Sequence, residues 1–305
     1  LEYLLKKLIN YRQGIDYEIT CSDEGVSLEL RSKDLEKEIG SIVGELDRIV
    51  RERFREHTCL LPPIQYLTLE NIGRELHVLS ILYEILSCMF DVHVYVVLND
   101  CSEDFLISLY LFRELKQRGK DDLFKIARYG NVIVRFKDLH HRINVLKKTL
   151  EKKYDEKLHT EYLDLVSELD EMVKEISRLW INDKELFDQI HSIVFPLDMD
   201  RKELLDHIQQ NIEKYVDYRI KLLDRWIRAL NKYLRIEGVE YIVVSKLLSH
   251  SCLESSLLDI VKTVYDYLRR RNCRDIVFIA GEDYLVLREV SRLDYRVFMV
   301  NHVSD

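Results

Sequence analysis

From Leu139 to Leu234 the chain contains no glycine and a single proline, Pro196. Across all 305 residues there are only nine glycines, three prolines and three alanines (Ala127, Ala229 and Ala280). So few breakers exclude a low-complexity or collagen-like organisation and point to long helices joined by short turns. None of the six cysteines (Cys21, Cys59, Cys88, Cys101, Cys252, Cys273) belongs to a Cys-x-x-Cys pair. Five of them lie in or beside apolar elements, where free cysteine packs as a small hydrophobe. The expectation is a reducing, cytoplasmic compartment.

Long apolar runs are missing too. Stretches such as Val94–Leu98 fall far short of the roughly 18 residues that a membrane-spanning helix needs. The N-terminal LEYLLKKLINYRQ is amphipathic and has no small-residue cleavage site, so it does not read as a signal peptide. A soluble protein with no membrane partner is expected. No GxxxxGK[ST], GxGxxG or GxSxG occurs, and Gly119-Lys120 is followed by Asp121, which excludes the phosphate loop of an NTPase.

What is abundant is charge, with 46 lysines and arginines interleaved with 54 aspartates and glutamates for a net charge of -8. That balance argues against non-specific binding to nucleic acid, while leaving room for a local basic patch. Few breakers and many charges suit a thermophile or a compositionally biased viral genome.

Along the chain, Leu1–Asn10 reads as an amphipathic helix ended by Gly14, and two alternating runs around Ser22-Asp23-Glu24-Gly25 read as a β-hairpin. A helix capped by Ser32 carries apolar residues from Leu35 to Phe54 and ends before Pro62-Pro63, and a second, capped by Thr68, carries Leu69 to Phe90. Strand Val92–Leu98, helix Ser102–Arg118, a short helical turn to Gly130 and strand Val132–Phe136 follow. Later come strand Val239–Val244, helix Leu253–Arg271, strand Ile276–Ala280, helix Asp283–Arg292 and strand Tyr295–Val300.

Strands apolar on both faces and joined by helices predict an α/β fold with a Rossmann-like, mostly parallel sheet. The expected organisation is an N-terminal hairpin, helices and first half of the body over 1–138, a helical-bundle insertion over 139–236, and the second half of the body over 237–305.

In the insertion, apolar residues from Leu139 to Trp180 make eleven steps over 41 residues. The step of about 3.7 residues exceeds the 3.5 of a leucine-zipper seam. Asn182-Asp183 breaks the helix, Pro196 marks a turn, and Leu205 to Leu234 returns with a second apolar strip through Leu222 and Trp226. A packed three-helix bundle is predicted, presenting a surface for a protein partner or for self-association.

Parallel sheets gather ligands at the carboxyl ends of their strands. Reading those ends gives Asp100, Asp138, Glu282 and Asp283, a set that could hold Mg²⁺ or Mn²⁺ for phosphodiester cleavage, with Asp100 and Asp283 as the principal metal ligands. The plainer expectation is that Glu282 and Asp283 cap a helix and Asp100 begins a loop. Phe278-Ile279-Ala280-Gly281-Glu282-Asp283-Tyr284 resembles the strand and Ser-Gly-Asp-x-Asp-Phe segment of NYN and PIN-like nucleases over fewer than ten residues. It lacks one residue between the two acids, and no initial strand carries that family's Asp and Asn pair.

Arg135…His140, Arg51…His57 and Arg201…His207 share the loose Arg-to-His spacing of HEPN ribonucleases. Each has the wrong residue after the arginine (Phe136, Glu52, Lys202), so solvated helix faces are expected at all three. His57-x-Cys59 and His250-x-Cys252 lack the usual ligand spacing of a zinc site. Arg269, Arg270, Arg271 and Arg274 form the densest basic cluster, at a helix C-terminus where they complement the dipole. With His140 and Arg142, they are the candidate phosphate or nucleic-acid contacts. The leading functional expectation is a non-catalytic assembly or adaptor protein, and the alternative is a metal-dependent phosphodiesterase or nuclease.

Overall fold

The computed structural model describes residues 17–22, 25–30, 33–54, 57–62, 64–67, 72–88, 90–120, 122–197, 199–234, 236–248, 255–280, 284–292, 294 and 296–301. The expected first helix, the caps at Ser32 and Thr68, and His250, Cys252, Glu282 and Asp283 lie outside the described residues.

The first elements are β1 (Tyr17–Ser22), β2 (Gly25–Leu30), α1 (Lys33–Arg53), β3 (Thr58–Leu61), α2 (Ile72–Ser87) and β4 (Val92–Leu98). Next come α3 (Glu103–Lys116), α4 (Leu123–Lys152), α5 (Glu156–Asn182), α6 (Lys184–Val194), α7 (Arg201–Gln210) and α8 (Val216–Leu234). The chain closes with β5 (Glu240–Val243), α9 (Leu257–Arg270), β6 (Asp275–Ala280), α10 (Tyr284–Ser291) and β7 (Val297–Asn301). Two compact units result, Leu1–Asp100 with Ile227–Asp305, and Cys101–Trp226.

The first unit holds the antiparallel hairpin β1-β2, paired Tyr17 to Leu30, and a five-stranded sheet in the order β5-β4-β3-β6-β7. Every pairing in that sheet is parallel. The fold is therefore α/β, helix-rich, with a Rossmann-like sheet whose order reverses between β3 and β6. Five consecutive residues of β4 are buried, as a strand covered on both faces requires. The central strand is the one that sequence reading misses. Thr58-Cys59-Leu60-Leu61 is four residues long, too short to show a period, yet all four are buried.

Cys59 on β3 forms a disulfide with Cys273, just before β6. Cys88 and Cys101 are also disulfide-bonded. Cys59, Cys101 and Cys273 pack in the interior as expected. They do so as oxidised pairs, because the fold brings together residues that are 214 apart in sequence. No helix among the described residues is long and apolar enough to cross a membrane.

The described residues of the second unit form helices and no strand. Val132–Phe136, expected as a strand, lies inside α4, which runs unbroken from Leu123 to Lys152. Gly130, expected to end a turn, sits mid-helix instead. A Cβ there would come within 2.1 Å of Leu111 Cδ1, so the glycine is a notch that lets α3 and α4 approach closely. The β-branched run beside it is helical because Ile133 and Val134 are buried in the unit's core, and packing overrides propensity.

A second correction concerns the long apolar series from Leu139 to Trp180. It is not one helix, since Lys153–Asp155 turns the chain and Asp155 caps α5 by accepting from the N–H groups of Lys157 and Leu158. The break at Asn182-Asp183 stands as expected: Asp183 ends α5 and accepts from Leu186 N–H to start α6. That hydrogen bond, more than any other contact, holds the Asp183 carboxyl below its ordinary pKa.

Candidate functional site

Of the four strand-end carboxylates, Asp100 and Asp138 are among the described residues. Asp100 is fully buried, and its two oxygens accept from the backbone N–H of Ser245 (2.9 Å) and the Ser245 hydroxyl (2.6 Å). Ser245 lies in the 3-10 turn that follows β5, the strand beside β4, so Asp100 ties the carboxyl ends of two neighbouring strands together. Removing the hydroxyl by Ser245→Ala is expected to cost about 1–3 kcal/mol, the usual result of taking a donor from a buried carboxylate. A urea midpoint unchanged by Ser245→Ala would contradict this structural role.

Asp138 follows no strand, because it is in the middle of α4 and belongs to the helical unit. It lines a cleft of about 240 Å³ with Lys137, His141, Asp200, Arg201 and Glu203. Most of these charges serve helix ends. The Lys137 ammonium donates to the carbonyls of Val194 (3.1 Å), Met199 (3.0 Å) and Leu197, which closes the C-terminus of α6. Asp200 and Glu203 form the reciprocal capping box of α7. Arg201 pairs with Glu103 at 2.8 Å and reaches Asp104 at 3.6 Å. Burial pushes the Asp104 carboxyl above its ordinary pKa, with Arg201 and then Arg135 pulling it back.

The basic clusters are similarly engaged. One Arg269 nitrogen donates to the carbonyls of Cys273 and Arg274, both at 3.1 Å, and another pairs with Asp294 at 2.9 Å. Arg271 lies over the Tyr267 ring and 3.6 Å from Glu240. Arg270 and Arg274 are exposed beside them. This is the helix-end role expected of such a cluster. His140 and Arg142 are exposed on α4, in the other unit, with Arg142 3.7 Å from Glu161. Of the three arginines at HEPN-like spacing, Arg51 pairs with Asp47, Arg135 with Glu168 and Arg201 with α3.

The most distinctive surface is the α4–α5 hairpin. Leu139, Ile143, Leu165 and Met172 form its buried seam, with Phe136, Leu146, Tyr162 and Leu169 partly buried around them. Arg135–Glu168 (2.6 Å) and Arg142–Glu161 (3.7 Å) fix an antiparallel register, seven residues on along α4 matching seven back along α5. The helices differ sharply in charge: α4 carries eight lysines and arginines against two acids, whereas α5 carries seven acids against three bases.

Against that polarity, α5 exposes Leu163 (53%), Val173 (45%), Trp180 (44%) and Ile181 (74%). At about 100° per residue these four fall within roughly a 100° arc, so they make one stripe beside the seam. Val145 on α4 and Tyr154 at the turn are exposed as well. The apolar series that runs from Leu139 to Trp180 includes Val173 and Trp180 but neither Leu163 nor Ile181. The signal was present, since Leu163 and Ile181 lie 18 residues, about five turns, apart and so share a helix face.

No family model, no curated protein and no solved structure matches this chain.

Proposed function

We propose that the protein is a non-catalytic assembly component whose Rossmann-like body carries a helical hairpin that pairs with the same hairpin of a second copy. The observation that carries this reading is the apolar stripe Leu163, Val173, Trp180 and Ile181, exposed on the acidic helix of a hairpin whose other helix is basic. A two-fold axis sets each copy's α4 against its partner's α5, so opposite charges meet on both sides and the stripes are covered between them. The product is an intermolecular four-helix bundle with an isologous interface. Exposed apolar residues that cluster on one face mark an interaction surface, whereas scattered ones carry no such meaning.

Two features weigh against the phosphodiesterase alternative: both Asp100 oxygens are engaged by Ser245, and Asp138 lies in the middle of a helix instead of at a strand end. Replacing Ile181 with glutamate places a charge in the proposed interface and is expected to weaken self-association by at least about ten-fold, or 1.4 kcal/mol. Equilibrium sedimentation would measure it, with circular dichroism confirming unchanged helix content. An association constant unaffected by Ile181→Glu would remove the stripe from the interface.

A further inference from the structure

At the opposite, amino-terminal edge of the sheet, His57 precedes β3 while Asp91 and His93 lie at the start of β4. The parallel register that pairs Thr58 with Val92 sets His57 beside Asp91. Asp91 and His93, two residues apart on an extended chain, share a face. One ligand atom from each of the three side chains lies within 4.8 Å of the others. His57 Nδ1 is 3.0 Å and His93 Nε2 is 3.2 Å from the same oxygen, Asp91 Oδ2.

We propose that His57, Asp91 and His93 form a binding site for a divalent transition-metal ion of the Zn²⁺ class. Ligand atoms about 2.1 Å from a tetrahedral metal are separated by roughly 3.4 Å, close to the two spacings the structure shows. A small side-chain rotation therefore converts the hydrogen-bonded trio into a ligand set. Two imidazoles and a carboxylate select Zn²⁺, Co²⁺ or Ni²⁺ over Mg²⁺ or Ca²⁺, which prefer oxygen alone. His57 binds through Nδ1 and His93 through Nε2, and three protein ligands leave a fourth position for water.

The backbone holds His57 where the site needs it. His57 adopts a left-handed conformation (φ 61°), uncommon for a residue with a Cβ. Its carbonyl accepts from Arg274 N–H, and Thr58 N–H donates to the Asp91 carbonyl, both at 3.1 Å. All three side chains are open to solvent to some degree, so an ion can reach them. Cys59, the sulfur that sequence reading paired with His57, is held in its disulfide and takes no part. Bound metal would clasp the start of β3 to the start of β4, stabilising the sheet by mass action.

The test is titration of the intact, tag-free chain with Co²⁺ and Zn²⁺, read by visible absorption and calorimetry. The expected result is one Co²⁺ per chain with the ligand-field bands of mixed nitrogen and oxygen coordination, displaced by Zn²⁺. Asp91→Asn, His93→Ala and His57→Asn, the last chosen because asparagine tolerates the left-handed backbone, should each weaken binding by more than the roughly 10–100-fold that loss of an outer-shell partner costs. Zn²⁺ should raise the melting temperature of the wild type and leave that of His93→Ala unchanged. Absence of saturable binding by the wild type, or affinity that none of the three substitutions lowers, would overturn the proposal. A variant that unfolds is replaced by His93→Gln, which keeps an exposed polar side chain while removing the imidazole.

Discussion

Replacing Arg296 with methionine is expected to destabilise the protein by about 3–5 kcal/mol, the cost of breaking a buried ion pair from one side. Asp275, at the first position of β6, is wholly buried, and its carboxylate contacts the Arg296 guanidinium, whose side chain is 17% exposed. The arginine precedes β7, the edge strand paired with β6, so the ion pair joins the amino-terminal ends of both strands. Neighbouring groups extend it: Asp294 accepts from the Tyr265 hydroxyl at 3.0 Å, pairs with Arg269, and receives the Arg296 backbone N–H at 2.9 Å. Removing the cation alone leaves the buried Asp275 carboxylate without its guanidinium. Replacing both partners with apolar residues, Asp275→Leu with Arg296→Met, should instead restore much of the loss. Denaturant unfolding of the two single variants and the double variant measures the coupling. Purely additive effects would show that the two side chains do not act as a pair.

The second large effect is expected from the double substitution Cys59→Ala with Cys273→Ala. The bond closes a loop of 214 residues that contains the whole helical unit, and it joins the central strand β3 to its neighbour β6. Tethering positions so distant in sequence restricts the unfolded chain, and the chain-entropy account gives a loss of about 3–5 kcal/mol when the tether is removed. Substitution is a cleaner experiment than reduction, because Cys88 and Cys101 are disulfide-bonded too. The expected readout is a lower unfolding midpoint with the far-ultraviolet spectrum preserved at low denaturant. A change below about 1 kcal/mol would mean that the unfolded chain is not limited by this link.

The parallel body was legible because strands covered on both faces read as continuous apolar runs, and β4 was found at its observed limits, Val92–Leu98. β3 was not, since four residues carry too little pattern, and its place at the centre of the sheet follows only from long-range pairing with β4 and β6. Gly130 and Val132–Phe136 misled because glycine and β-branched residues act as local signals only where packing is silent. Here contact with Leu111 requires the glycine inside a helix. Asp138 was consequently assigned to a strand end that does not exist. The His57, Asp91 and His93 trio was invisible for a related reason: its members are brought together by the alignment of two parallel strands whose adjacency the sequence does not state. Cysteine pairing failed likewise, because a disulfide between residues 214 apart leaves no spacing motif.

The central claim is that the basic and acidic helices of the hairpin, with the stripe at Leu163, Val173, Trp180 and Ile181, pair two copies of the chain. Solution mass by light scattering across a micromolar concentration series addresses it most directly. The prediction is a species of twice the 36.6 kDa chain mass, giving way to single chains on dilution and, at every concentration, for the Leu163→Glu, Ile181→Glu variant. A wild-type chain that remains at the mass of one copy throughout the series would contradict the account.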